Sequence, residues 1–317
     1  MKIVVTGALG HIGSQLIRIL PDRFANAEIV MLDNLSTQRY CSLFNLPPQG
    51  RYRFHEADVL NTDLDSIFRD ADVVVHLAAI TNAAGSFQNR EQVEQVNFVG
   101  TERVAQACIR TGSPLIFLST TSVYGTQAEV VDENCSNDEL MPQSPYAQSK
   151  LNAELMLQSL EQKQGLRFVI CRFGTIYGVS VGMRFHTAIN KFCWQAVLGQ
   201  PITVWRTALH QYRPYLDLTD AVEALTLIMI KELYDGRVYN VVTSNTSVNR
   251  ITEIISQYVP DVTIEYVDAE IMNQLSYHVA NQRFLDAGFE YRGELAQGIR
   301  NTVELLKGAC SWQNWLR

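Results

Sequence analysis

Lys2-Ile3-Val4-Val5-Thr6-Gly7-Ala8-Leu9-Gly10-His11-Ile12-Gly13 (KIVVTGALGHIG) decides how the chain is read. Residues 2–6 form a short β-branched, apolar run that predicts a buried strand. Three glycines follow at a GxxGxxG spacing, and Ile12, Leu16 and Leu20 then share one helix face. Strand, glycine turn and helix in that order let a backbone approach a pyrophosphate and offer it helix N-terminal N–H donors. Gly7, Leu9, Gly10, His11, Ile12 and Gly13 are therefore the candidate phosphate loop.

Working outward, a second run at 28–32 ends in Asp33, twenty residues after Gly13. An acid there suits an adenosine ribose hydroxyl and repels a 2′-phosphate, which favours NAD over NADP. Asn34 joins the candidate contacts, and the nearby Arg39 keeps NADP open. Further strands are expected at 52–55, 72–76, 114–118, 167–172 and 238–242, with helices at 11–20, 91–110 and 145–163. Apolar strands alternating with helices predict an α/β fold: a Rossmann-type doubly wound parallel sheet with a smaller mixed α/β lobe. The expected division is 1–172 plus about 206–243 for the dinucleotide domain, and about 173–205 plus 244–317 for the substrate lobe.

The third strand ends at Asp58-Val59, where the carboxylate either bonds an adenine or caps the following turn. His76 is followed by Leu77-Ala78-Ala79, small enough for a cofactor to approach or simply core. The fifth strand ends in four hydroxyl residues, Ser119 to Ser122. Ser144-Pro145 suits the start of a helix, which sets Tyr146 and Lys150 four residues apart on one face. An ammonium beside a phenol stabilises phenolate and makes tyrosine a usable base.

In this order these motifs resemble the extended short-chain dehydrogenase/reductases, and more narrowly the NAD-dependent epimerase/dehydratase family acting on nucleotide sugars. The resemblance implies that Tyr146 is the base at a sugar hydroxyl, typically at C4. Lys150 would bind the nicotinamide ribose and tune Tyr146, and Thr120 would hydrogen-bond the same sugar hydroxyl, with Thr121 and Ser122 beside it. Asn97 matches a helix Asn of the family, or is a satisfied core amide. Arg172 to Gly178 resembles an RxxNxYG stretch in which Thr175 replaces the Asn, and Arg213 to Asp220 resembles a later segment that keeps its phosphate-clamping Arg213 but carries Asp217 for a His. Arg184 is either a phosphate or sugar contact or an exposed charge, and Arg283 is a substitute second phosphate ligand or plain surface. Relatives that eliminate water carry Asp-Glu where this chain has Thr121-Ser122, so no 4,6-dehydratase activity is expected.

The leading expectation is a nucleotide-sugar 4-epimerase with tightly bound NAD and a transient 4-keto sugar. The alternatives are net C4 dehydrogenation or reduction, and a non-catalytic nucleotide-binding sensor. The chain has 317 residues, a formal net charge of -7 and no basic run, which argues against nucleic acid as a partner. No segment approaches membrane-spanning length, six scattered cysteines fit a reducing cytoplasm, and six dispersed histidines suggest no metal site. The start at residue 1 runs directly into a strand, with no leader expected. A homodimer paired through helices near 91–110 and 146–163 is expected from the resemblance.

Overall fold

The computed structural model describes residues 1–125, 129–268 and 276–309. Seven parallel strands form the main sheet, in spatial order Val238–Val241, Phe168–Phe173, Leu115–Thr120, Val73–His76, Lys2–Thr6, Glu28–Asp33 and Arg51–Glu56. The apolar runs are continuous because both sheet faces are covered. Ile3 and Val5 join the core under helices His11–Arg23 and Leu218–Lys231. Val4, between them, points into the opposite core, under helices Gly100–Thr111 and Pro145–Gln164. Period-two alternation thus sends neighbouring residues of one strand into two separate cores.

The chain builds outward from Lys2–Thr6 to Arg51–Glu56, then crosses back to Val73–His76 on the other side of the first strand. That reversal opens a crevice beyond the carboxyl ends of the strands, where doubly wound sheets bind ligands.

A third core holds the smaller lobe, with Ile189, Phe192, Ile202, Ile254 and Ile299 packed together. Its three-stranded sheet runs Ser244–Ser247, Tyr212–Asp217, Thr175–Tyr177, and Ile264–Val267 pairs with Ile202–Trp205. Phe284 and Phe289, by contrast, pack into the core of the large sheet.

One expected helix is not regular. Over 91–110 the structure has helix Arg90–Glu94, a π turn at Gln95–Val99, and helix Gly100–Thr111. The wide turn carries Asn97, whose amide bonds both backbone atoms of Ile80 at 2.8 and 2.9 Å and the Ser149 hydroxyl at 3.1 Å. Among the described residues, no helix is long and apolar enough to cross a membrane.

Candidate active site

A cleft of about 1090 Å³ runs along the carboxyl edge of the sheet. Its floor is the glycine loop. Gly7 has φ +65°, and a Cβ there would sit 2.6 Å from the Ala78 nitrogen; a Cβ on Gly13 would sit 2.5 Å from the Gly7 carbonyl oxygen. Only glycine lets the loop fold this tightly against Leu77-Ala78 and leave the start of helix His11–Arg23 facing the cleft. This cradle, with Asp33 at its far end, fits a dinucleotide. The Asp33 carboxylate lines the wall and accepts the Leu9 N–H at 3.1 Å and the Leu35 N–H at 3.0 Å.

A strap from the small lobe lies on this loop. The buried His11 imidazole bonds the Gly178 carbonyl through Nε2 at 2.8 Å, and Ser180 Oγ donates to the His11 carbonyl at 2.9 Å. The Gly182 N–H donates to Ser14 Oγ at 2.9 Å. Burial pushes the His11 pKa down to about 4, so the ring is neutral and its Nε2–H is the donor to Gly178.

At the other end of the cleft stand Thr120, Tyr146 and Lys150. Ser144 caps the helix by accepting the Ala147 N–H at 3.2 Å, and Pro145 opens it, which fixes where Tyr146 emerges. Burial raises the Tyr146 phenol above its ordinary range, while the Thr120 hydroxyl and the charge of Arg184 act to lower it. Lys150 is buried. Its ammonium donates to the Leu118 carbonyl at 2.7 Å and lies 4.7 Å from the Phe117 ring centroid. Burial lowers its pKa to about 7, and the Glu154 carboxylate acts to raise it. The cation that bears on Tyr146 here is therefore Arg184. The buried Lys150 ammonium needs a carbonyl acceptor and finds it at the end of the fifth strand.

Glu154, one turn beyond Lys150, was missed by sequence reasoning. It is buried, accepts Ser119 Oγ, and holds Arg172 through Nη2 at 2.7 Å and Nε at 3.1 Å. Arg172 also donates to the Tyr124 hydroxyl at 3.0 Å, which bonds Asn240 at 2.9 Å. Tyr146, Lys150 and Glu154 at i, i+4, i+8 were a visible stripe.

Gly7, Gly10, His11, Ile12, Gly13, Asp33, Asn34, Asp58, Val59, Leu77, Ala78, Ala79, Thr120, Ser122, Tyr146, Lys150, Thr175, Arg184 and Arg213 line this one cleft. Asp58 caps locally, accepting the Leu60 N–H at 2.9 Å, and also accepts Asn34 Nδ2 at 2.9 Å. Four candidate residues do not line it. Leu9 is buried behind the loop and reaches Asp33 by its backbone alone. Asn97 spends its amide on Ile80 and Ser149. Thr121 turns its hydroxyl to the Phe173 carbonyl at 3.3 Å, so it faces the sheet and not a ligand. Arg283 lies elsewhere, donating to Val238 O at 2.9 Å and Asn134 Oδ1 at 2.5 Å. Asp217 caps helix Leu218–Lys231 by accepting the Thr219 N–H at 2.8 Å, which accounts for an acid at that position.

A Rossmann-type sheet with a Thr-Tyr-Lys cluster at its crevice defines the extended short-chain dehydrogenase/reductase class. Within it, the chain belongs to the NAD dependent epimerase/dehydratase family, which it matches over residues 3–241. It is 30% identical over 320 residues, 96% of its length, to an Arabidopsis thaliana trifunctional UDP-glucose 4,6-dehydratase/UDP-4-keto-6-deoxy-D-glucose 3,5-epimerase/UDP-4-keto-L-rhamnose-reductase, of which this covers 47%. The chain thus spans about half the length of such relatives. A Bacillus subtilis (strain 168) protein, the uncharacterized UDP-glucose epimerase YtcB, is 33% identical over 76% of each chain. Among solved structures, a UDP-N-acetylglucosamine 4-epimerase from Methanobrevibacter ruminantium M1, in complex with UDP-N-acetylmuramic acid, superposes with a TM-score of 0.85 at 26% identity, covering 97% of this chain and 98% of that one. The UDP-glucuronic acid 4-epimerase of Bacillus cereus, in complex with UDP-glucuronic acid and NAD, gives 0.88 at 25% identity over 98% and 100%.

Proposed function

We propose that the protein is a nucleotide-sugar 4-epimerase that keeps NAD bound through turnover. The observation that carries this reading is the convergence of Thr120, Tyr146 and Lys150 at one end of a cleft whose other end is a dinucleotide cradle. The UDP-sugars named with the solved relatives make a UDP-linked sugar the first substrate to try.

In this reading Tyr146 removes the proton of the C4 hydroxyl, and Thr120 fixes the hydroxyl oxygen so that its proton points at the phenolate. The Arg184 charge favours the phenolate in a buried site, and Lys150 would hold a ribose hydroxyl of the cofactor. The glycine loop and Asp33 would hold NAD, which would supply a hydride acceptor and donor for C4. The 4-keto sugar turns over between the main sheet and the small lobe, with Arg213 and Thr175 on its diphosphate, and Tyr146 then returns the proton on the other face. We further infer the homodimer that family members of this kind suggest. The test is incubation of the purified protein, without added cofactor, with UDP-glucose, UDP-N-acetylglucosamine and UDP-glucuronic acid. Conversion of one of them to its C4 epimer, with no change in absorbance from NADH, is the expected result. Net NADH production would make the protein a C4 dehydrogenase instead.

A further inference from the structure

Glu154 stands one turn beyond Lys150 on helix Pro145–Gln164, and both side chains dock on one strand end. The Lys150 ammonium donates to the Leu118 carbonyl at 2.7 Å. On the next residue, the Ser119 hydroxyl donates to Glu154 Oε1. The residue after that, Thr120, lines the cleft. Lys150, Glu154 and Arg172 are 3%, 1% and 4% exposed, so two buried cations stand around one carboxylate. Arg172 takes both carboxylate oxygens through Nε, at 3.1 and 3.2 Å. None of the ion pairs among the described residues includes Lys150.

A lysine in a dry site with only a carbonyl acceptor gives up its proton readily. The groups around Lys150 decide whether it does. Tyr146 stands one turn before it on the same helix. The His76 imidazole, on strand Val73–His76, stacks on the Phe117 ring that Lys150 covers. Burial and Lys150 push His76 down to about 3, so that ring is neutral. Arg172, on strand Phe168–Phe173, is a second cation. Glu154 is the carboxylate of this set, and it acts to keep the proton on Lys150. An apolar pair of the same volume as Glu154 and Arg172 would hold the helix to the sheet as well or better, but it would leave Lys150 without an anion.

Resting on the epimerase reading, in which Lys150 holds a ribose hydroxyl of the cofactor, we propose that Glu154 is a positioning residue: it keeps Lys150 an ammonium that donates both to the Leu118 carbonyl and to that hydroxyl. Its bonds to Ser119 and Arg172 fix the strand end that receives the ammonium. One carboxylate thus sets both the charge of Lys150 and the place where it docks. Donors on an ammonium make charge-assisted bonds, roughly twice as strong as those of a neutral amine. Glu154 does not line the cleft, so it acts on the cofactor through Lys150 alone.

The test titrates Lys150 directly. The chain has six lysines, so lysine labelled with carbon-13 at Cε gives few NMR signals, and Lys150→Met assigns the one in question. The native protein, Glu154→Gln and Glu154→Asp are compared with NAD present and no sugar. Glu154→Gln should move the Lys150 midpoint down by about one pH unit or more, the scale of a nearby opposite charge. Glu154→Asp should fall between it and the native protein. Equilibrium dialysis against NAD gives the second reading. Between the two midpoints Glu154→Gln should bind NAD about tenfold more weakly than the native protein, and below both midpoints equally well. An unchanged midpoint, an Asp variant displaced as far as the Gln variant, or NAD binding weakened equally at every pH would make Glu154 a purely structural tie and overturn the proposal. If Glu154→Gln does not fold, the double variant Glu154→Gln/Arg172→Met, which leaves no unpaired charge in the pair, is read in the same way. Neither reading uses turnover, so failure of the epimerase reading leaves a distinct signature: a Lys150 midpoint that depends on Glu154 in a protein that forms no epimer.

Discussion

Tyr146 is surrounded by groups that pull its proton affinity in opposite directions: burial raises it, and the Thr120 hydroxyl and the Arg184 charge lower it. Replacing it with Phe keeps the ring and removes the proton acceptor. Turnover should fall at least about a hundredfold with substrate binding nearly unchanged, read as kcat against KM. A Tyr146→Phe protein with near-native kcat would refute the role. Lys150 exposes a conflict between function and stability. Its folded pKa is about 7, against 10.5 for the free side chain. Between those values the unfolded chain binds a proton that the folded chain does not, so stability rises with pH across that window. The cost of the buried ammonium is fully present below about pH 7. Lys150→Met should therefore melt higher than the native protein at pH 6, with the gap closing toward pH 10, while turnover is impaired and cofactor is held less well. Melting curves across pH check this, and a lower melting point at pH 6 would contradict it. The Tyr-Lys pair was legible from spacing and from the Ser-Pro helix start. Arg184 was legible as a candidate contact, but its bearing on Tyr146 was not, because 38 residues separate the two.

The seven strands could be read from sequence because a parallel strand buried on both faces is a continuous apolar run. Irregular elements could not, since long-range contacts set them: the π turn at Gln95–Val99 depends on Ile80 and Ser149. Helix Pro145–Gln164 ties the catalytic face to the sheet through Glu154 and Arg172. Removing one partner of a fully buried ion pair leaves the other uncompensated, so Glu154→Ala should cost roughly 3–5 kcal/mol by denaturant unfolding. A loss below about 1 kcal/mol would show that the pair is not a structural tie. The strap makes a similar prediction. A Cβ on Gly182 would lie 2.4 Å from the Leu9 carbonyl oxygen and 2.5 Å from that of Gly10. Gly182→Ala must push strap and glycine loop apart, and should lower the cofactor content of the purified protein. Unchanged content would mean that the strap plays no part in retention.

At the scale of the whole molecule, the topological crossover and the small lobe together enclose one cleft with a cradle at one end and Tyr146 at the other. Sequence revealed this layout because each motif sits at a strand end, and strand ends of a doubly wound sheet share one edge. It did not reveal which way each side chain turns, as Thr121 and Asn97 show. The dehydratase relatives make the reaction type a question that chemistry can decide. Elimination across C5–C6 needs a base at C5, and the two residues after Thr120 are Thr121 and Ser122, which do not titrate near neutral pH. Incubation in heavy water should place no solvent deuterium at C5 and give no 4-keto-6-deoxy sugar; accumulation of that product would mean that another residue supplies the base. The central claim, oxidation and return at C4 within one closed site, is tested most directly with a UDP-sugar carrying deuterium at C4 and no added cofactor. The account requires the C4 epimer to form with its deuterium still at C4 and without accumulating NADH. An epimer that has lost the label to solvent, or a keto product matched by NADH, would contradict it.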